Sequence, residues 1–166
     1  MVILTNLAFL FWALASKAYK QWRTYYPTLV FVPFVNAMYN VLCADYLPWF
    51  YQSDSLLSHK AIDLINTFIL LPCTALLYLH YFPGRQRIQL WYYLGWISFF
   101  TLIEYAWHAQ GLIQYNIGWN LYWSILFYFA MFLAIVLHDR RPLMSLFFSF
   151  SFAASLLAIF RIRFWE

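Results

Sequence analysis

The chain has 166 residues, of which 65% are hydrophobic, 25% aromatic and only 10% charged. In soluble domains about a quarter of the residues are charged, so this composition excludes an ordinary soluble domain and predicts an integral membrane protein. The formal net charge of +4 does not indicate nucleic-acid binding, because the basic residues stand in short clusters between apolar runs. The two cysteines, Cys43 and Cys73, are isolated in apolar sequence and predict neither a disulfide framework nor a zinc site.

The hydrophobic runs predict an all-α polytopic bundle of about six transmembrane helices, with residues 1–166 as a single transmembrane helical domain. The first run is expected to be a retained helix and not a signal peptide, because it lacks a basic leader and a cleavage site. In chain order, the predicted helices cover about Val2 to Tyr19, from after Pro27 to Leu42, His59 to Phe82, Leu90 to Ala109, Trp119 to His138, and Leu143 to Phe160.

Signals between these runs predict how the helices begin, bend and connect. The segment from Ala44 to Ser58 mixes proline, acids and aromatics and predicts a loop or a short interfacial helix. Ser58 is a suitable N-cap for helix three, and Pro72 predicts a kink within it. Pro142 suits the first position of helix six.

The basic residues predict the orientation of the bundle, since loops rich in Lys and Arg stay in the cytoplasm. One side would then be cytoplasmic and the opposite side, with fewer basic residues, would face outward. The cytoplasmic group is Lys17, Lys20, Arg23, Arg85, Arg87, Arg140 and Arg141, and the opposite group is Lys60, Arg161 and Arg163.

Polar residues inside the predicted helices gather in the outer half of the bundle. The most informative is Glu104, since a carboxylate in a transmembrane helix costs about 2.5–3.5 kcal/mol on insertion scales and therefore faces the interior with a role there. The other predicted ligand-binding residues are Asp63, His59, Asn40, Asn120, Trp119, Trp123 and Tyr115. Structural alternatives stay open, in which Glu104 bonds Asn40 or Asn120 and the two indoles belong to the interfacial aromatic belt.

Two pairs of histidine and carboxylate stand four residues apart, His59 with Asp63 and Glu104 with His108. Such pairs on neighbouring helices supply ligands suited to a divalent metal such as zinc or iron. The alternative is that each pair forms hydrogen bonds that hold the bundle together. We expect no cofactor, and we retain a divalent metal at these four residues as the alternative.

The chain resembles a family of small multi-pass membrane proteins that is abundant in endospore-forming bacilli and clostridia. The likeness covers nearly the whole chain, and its most specific part is Gly118-Trp119-Asn120 with Trp123-Ser124 after the intramembrane Glu104. It implies a bacterial plasma-membrane location with a sporulation or germination context, and brings no established activity. The residues that carry it are Tyr39-Asn40, His59, Asp63, Pro72, Glu104, Gly111-Leu112-Ile113, Tyr115, Gly118-Trp119-Asn120, Trp123-Ser124, His138 and Pro142-Leu143.

Three classes of function are compatible with these features. The first is binding or conduction of a small polar ligand, an ion or a proton at the outer pocket. The second is a membrane-embedded enzyme acting on a lipid or isoprenoid, with Glu104 as general acid; a fainter likeness to the small membrane subunits that cyclise carotenoids points the same way. The third is a structural or assembly subunit. Expected partners are the lipid bilayer, a second copy of the chain or other membrane proteins.

Overall fold

The computed structural model describes residues 1–43, 47–52 and 58–162, and this part of the chain is mostly helical. Its elements are six helices and one two-stranded antiparallel sheet. In chain order they are α1 (Val2–Ala15), α2 (Trp22–Leu42), β1 (Trp49–Tyr51), α3 (His59–His80), α4 (Gln86–Ala109), β2 (Ile113–Tyr115), α5 (Leu121–Arg140) and α6 (Pro142–Ile159).

Three of these helices are long and apolar enough to cross a membrane, namely α3, α5 and α6. A fourth span is obtained if α1 and the helical stretch Ala18–Leu42 are taken together, although the two are bent by 74° at the break between them. The α4 helix has 24 residues and is therefore about 36 Å long, but it is not among these candidate spans. The prediction of a helical membrane protein agrees with this architecture.

Helix α3 contains a wide turn immediately before its proline. Residues Asn66–Leu70 form a π-helical turn, in which the Leu71 N–H donates to the Asn66 carbonyl. Pro72 has no N–H, and in a regular helix its ring would collide with the carbonyl of Phe68, so a widened turn relieves that clash. The predicted irregularity at Pro72 is therefore a π-turn that buries Asn66 and Thr67.

Several predicted boundaries differ from the structure: α1 ends at Ala15 and not at Tyr19, and α4 begins at Gln86 and not at Leu90. Helix α2 begins at Trp22 and not after Pro27, and both Pro27 and Pro33 lie inside it. Part of the segment predicted as a loop or interfacial helix is the strand β1, which pairs with β2. Residues 44–46 and 53–57 of that segment lie outside the described residues. So does Arg163, which the orientation prediction counted among the basic residues of the outer side.

The bundle has two ends with different chemistry. At one end His80 Nδ1 lies 2.9 Å from Gln21 Oε1, and the Arg140 guanidinium lies 5.3 Å from the centre of the Phe82 ring. The predicted cytoplasmic loops therefore do meet at one end of the molecule. The opposite end carries the β1–β2 sheet. Between the two ends, packed aromatic rings fill the interior, among them Tyr78, Trp96, Phe100 and Phe132.

Candidate functional site

A small sheet closes one end of the bundle and delivers two tyrosines to its interior. Gly111, with φ +72°, ends α4: its N–H bonds the His108 carbonyl, and the next N–H bonds the Trp107 carbonyl. This left-handed helix end suits glycine and turns the chain directly into β2. Pairing of β1 with β2 places Tyr51 opposite Ile113 and Trp49 opposite Tyr115.

The chain re-enters the bundle through a tight turn before α5. Gly118 has φ +84°, and the side chain of Asn120 caps α5 by accepting from the N–H groups of Tyr122 at 3.0 Å and Trp123 at 3.4 Å. Trp119 lies between these two residues and is buried. Its indole Nε1 donates to Ser124 Oγ at 2.9 Å, so the turn is tied to the first part of α5.

We predict that Gly118→Ala lowers the free energy of unfolding by about 1–2 kcal/mol, because an L-residue with a left-handed backbone is strained. No atom lies within 4 Å of a Cβ built there, so the strain is conformational and not steric. Gly84→Ala is the matched control, since it also has open space but no left-handed φ. Thermal unfolding of the purified variants in one detergent measures the difference. Equal midpoints for Gly118→Ala and wild type would contradict the prediction.

Glu104 is buried and accepts three hydrogen bonds from hydroxyl groups. Its Oε1 accepts from Tyr115 at 2.7 Å and from Ser124 at 2.5 Å, and its Oε2 accepts from Tyr128. A carboxylate offers about four acceptor positions, so one position on Oε2 remains for a further donor. This arrangement stabilises a negative charge by hydrogen bonding.

A second polar cluster ties α2 to α3. Asn40 Nδ2 donates to Asp63 Oδ2 at 2.6 Å, and one turn away Asn36 Nδ2 donates to Thr67 Oγ1 at 2.8 Å. These hydrogen bonds fix Asp63 relative to α2. The bonds of Asp63 thus connect α2 with α3, whereas those of Glu104 connect α4 with β2 and α5.

Two asparagines join α1 to the wide turn of α3. Asn6 Nδ2 donates to Asn66 Oδ1 at 2.6 Å, and both side chains are buried, with 2% and 5% of their surface exposed. In the part of the chain that the structure describes, Asn66 Nδ2 makes no hydrogen bond of normal geometry, although it lies near enough to the Tyr51 hydroxyl to interact with it. A buried amide with incomplete hydrogen bonding costs up to about 1–3 kcal/mol, so a molecule that accepts from this donor would be favoured nearby.

A cavity of about 80 Å³ lies between the two polar clusters. It has room for several water molecules, since one water needs about 10–15 Å³ measured in this way. Among the described residues that line it, none is Lys, Arg or His, although His59 lies one helical turn from Asp63 on the same face of α3. The polar lining residues are Asn36, Tyr51, Asp63, Asn66, Glu104, Ser124 and Tyr128, and most of the others are apolar or aromatic.

The tyrosines of the two strands keep their protons. Burial raises the pKa of Tyr51, and the carboxylates of Asp63 and Glu104 raise it further, while the neighbouring Asn66 amide offsets part of the rise. Burial also raises the pKa of Tyr115, and its hydrogen bond to Glu104 and the charge of that carboxylate act in the same direction. Both hydroxyls therefore remain hydrogen-bond donors at neutral pH.

The structure brings together some of the predicted ligand-binding residues. Glu104, Asp63 and Trp119 line the cavity, Tyr115 holds Glu104, and Asn40 holds Asp63. Neither of the two amides expected beside Glu104 bonds it, because its partners are hydroxyl groups.

The remaining candidates have other contacts. Asn120 caps α5, and the Trp123 ring packs against Phe160 with centroids 5.1 Å apart. His59 Nδ1 accepts from the Tyr51 backbone N–H at 3.0 Å, and His108 Nδ1 lies 3.1 Å from the Ile113 carbonyl. Each histidine thus has one ring nitrogen directed at the sheet.

No group of three or more His, Cys, Asp or Glu side chains able to hold a metal is found within residues 1–43, 47–52 and 58–162. The predicted pair Glu104 and His108 is divided, since His108 turns to the loop and its ring stacks on Tyr115 with centroids 4.4 Å apart. The four-ligand metal site remains an untested prediction.

Sequence reasoning missed three residues of the site, namely Asn6, Tyr51 and Tyr128. Tyr128 was detectable in principle, because it follows Ser124 by four residues and so lies on the same face of α5. Asn6 is a lone amide in an apolar run, which by itself is a weak signal. Tyr51 reaches the cavity only through the pairing of β1 with β2, which connects segments far apart in the sequence.

Comparison with known proteins finds no matching family model, no matching curated protein and no matching solved structure.

Proposed function

We propose that this chain is a multi-pass plasma-membrane protein whose cavity between Asp63 and Glu104 binds a small ligand that carries positive charge or several hydrogen-bond donors. The observation that carries the proposal is the pairing of two acids in one cavity that has no basic lining residue among those described. Negative charge in an apolar interior attracts cations strongly, because the local dielectric constant is low.

The hydrogen-bond pattern supports a ligand that bridges the two clusters. Glu104 has one acceptor position left after its three hydroxyl donors, and one oxygen of Asp63 is engaged by Asn40. A small ammonium-type cation in the cavity would donate to both acids at once. The neighbouring amide of Asn66 would find a partner on a water molecule or on an acceptor atom of the ligand.

The membrane setting is part of the proposal. In the proposed topology of six spans the sheet end faces outward, since the clusters of Lys and Arg at the other end would be cytoplasmic. The likeness to the family from endospore-forming bacteria supports a bacterial plasma membrane and a sporulation or germination context. We prefer a binding role to a purely structural one because a cavity lies against Glu104 and Asp63. If the polar groups served only to bond one another, we would expect them to pack without a cavity.

The test is the ligand content and cation affinity of the purified protein, compared with those of Glu104→Gln. Native mass spectrometry and elemental analysis identify anything that copurifies, and titration with Na⁺, K⁺, ammonium and methylammonium measures affinity. We expect one ligand per chain in the wild type and at least a tenfold weaker affinity in the variant, because an uncharged amide attracts a cation less.

Gln114→Glu is the matched control, since Gln114 is exposed on the sheet and lines none of the cavities described. It changes the charge at the same end of the molecule without touching Glu104. Loss of binding in Glu104→Gln with retention in the control supports the proposal. A wild type that copurifies with nothing and binds no cation of the panel would overturn it.

A further inference from the structure

The polar cavity has an apolar cavity as its neighbour. This second cavity has a volume of about 90 Å³ and lies between α2, α5 and α6. It shares part of its wall with the polar cavity, and its other lining groups are almost all apolar. The residues that line both cavities are Asn36, Leu71, Phe127 and Met131.

A groove at the surface of the bundle is in turn a neighbour of the apolar cavity. It lies between α2 and α6 and has a volume of about 600 Å³, within the usual range for sites that hold drug-sized ligands. It exists because α6 packs mainly against α5, while α2 packs mainly against α3 and α5, which leaves α2 and α6 apart. The residues shared by the groove and the apolar cavity are Val35, Tyr39, Ser149 and Ala153.

We propose that the ligand of the Asp63 and Glu104 cavity is a long-chain amine, whose hydrocarbon chain lies in the apolar cavity and the groove between α2 and α6. The chain would enter sideways from the membrane. This inference rests on the proposed function, since it names the class of ligand that the same two acids hold. A chain in the groove contacts apolar walls, whereas its head meets the hydrogen-bond acceptors at the inner end.

Charge decides which head group fits. The inner end of the path has two acids and, among the described lining residues, no base, so a phosphate or carboxylate head would be repelled. At the groove, by contrast, the lining includes Arg161, which is exposed. A cationic head is therefore disfavoured at the groove and favoured at the carboxylates. An anionic lipid would show the opposite preference.

The test compares ligands that share a chain or share a head. Native mass spectrometry measures binding of octadecylamine, octadecanol, octadecanoic acid and methylammonium to the purified protein. We expect octadecylamine to bind once per chain, at least tenfold more tightly than methylammonium and octadecanoic acid. Glu104→Gln should abolish the preference for the amine over the alcohol.

A variant that blocks the path distinguishes the contribution of the hydrocarbon chain to affinity from that of the head group. Ala153 lines both the apolar cavity and the groove, so Ala153→Trp should weaken octadecylamine at least tenfold and leave methylammonium unchanged. Ala8→Trp is the matched control, since Ala8 is exposed on α1 and lines none of the described cavities. If Ala153→Trp does not fold, Ser149→Leu narrows the same passage.

The outcomes distinguish this inference from the function on which it rests. Binding of methylammonium that depends on Glu104, with no gain from the long chain, overturns the inference alone. Failure of every amine to bind overturns both. Preferential binding of octadecanoic acid that is lost in Arg161→Gln would show an anionic lipid in the groove and would also overturn the inference.

Discussion

Replacement of Glu104 by Leu is expected to lower the free energy of unfolding by about 3 kcal/mol, more than any other single substitution considered for this molecule. The carboxylate accepts from the hydroxyls of Tyr115, Ser124 and Tyr128, and leucine leaves these donors without that partner. Each buried hydroxyl donor left without a partner costs about 1–3 kcal/mol of stability. The total loss is smaller than the sum of these costs, because neighbouring hydroxyls form new hydrogen bonds with one another.

Glu104→Gln should cost much less, about 1 kcal/mol, because the amide oxygen continues to accept and its NH₂ group donates to a rotated tyrosine hydroxyl. Tyr105→Leu is the control on the same helix, since Tyr105 is 58% exposed and makes no part of the network. Reversible unfolding in mixed micelles gives all three values.

A stable Glu104→Leu variant would contradict this expectation. Replacement of a buried charge by an apolar group is sometimes neutral or stabilising, because the desolvation cost of the charge is removed. That result would mean that the hydroxyl cluster contributes nothing net to folding and that Glu104 is present for binding. Equal losses for Glu104→Leu and Glu104→Gln would instead show that the negative charge itself stabilises the fold.

The sequence predicted the helical elements well because long apolar runs can satisfy their backbone groups in lipid only as helices. The start of α3 at His59 agrees with the prediction, and Ser58 caps it by accepting from the Ala61 N–H at 3.3 Å. The start of α2 was predicted wrongly, because Pro27 was treated as a residue that interrupts a helix, as it usually does in a soluble protein. Within an apolar segment the helix continues through Pro27 and Pro33.

The acids of the site were predictable, whereas their partners were not. Glu104 and Asp63 stand out as carboxylates in apolar sequence, and the structure places both on one cavity. Their hydrogen-bond partners depend on how the helices turn toward one another, which a single sequence does not encode locally. Hence the expected bonds from Glu104 to Asn40 or Asn120 are replaced by bonds to tyrosine and serine.

The two-stranded sheet explains why part of the site could not be predicted from the sequence. Each strand has only three residues, which is too short for an alternating pattern to be recognised. The pairing also joins residues more than sixty positions apart, so no local sequence pattern predicts it. Tyr51 on β1 was therefore missed, whereas Tyr115 on β2 was among the predicted residues but its bond to Glu104 was not foreseen.

A disulfide across the sheet is expected to form almost completely when Phe50 and Gln114 are both replaced by Cys. These residues are directly opposite in the antiparallel pair, and opposite residues in such pairs have Cα atoms about 4.5–5.5 Å apart, within the range of a disulfide. The native Cys43 and Cys73 are first replaced by Ala, so that the new pair alone can react. A mobility shift after oxidation, reversed by a reducing agent, measures the yield.

Locking the sheet in this way also decides the route by which a ligand reaches the acids. If the ligand passes sideways between α2 and α6, the oxidised protein binds octadecylamine as fast as the reduced protein. If the ligand enters from the aqueous side, the sheet must open, and the disulfide should slow binding at least tenfold. Phe50→Cys alone, treated with the same oxidant, is the control.

The two routes also predict opposite effects of salt on the rate of binding. A cationic head that approaches Glu104 through water is attracted by charges that are screened within about 10 Å at 0.1 M salt, so its association rate should fall as ionic strength rises. A head that enters from the membrane meets no dissolved ions on its path, so its association rate should vary little with salt. Unchanged binding rates after oxidation, together with association rates that vary little with salt, would therefore favour lateral entry on two independent grounds.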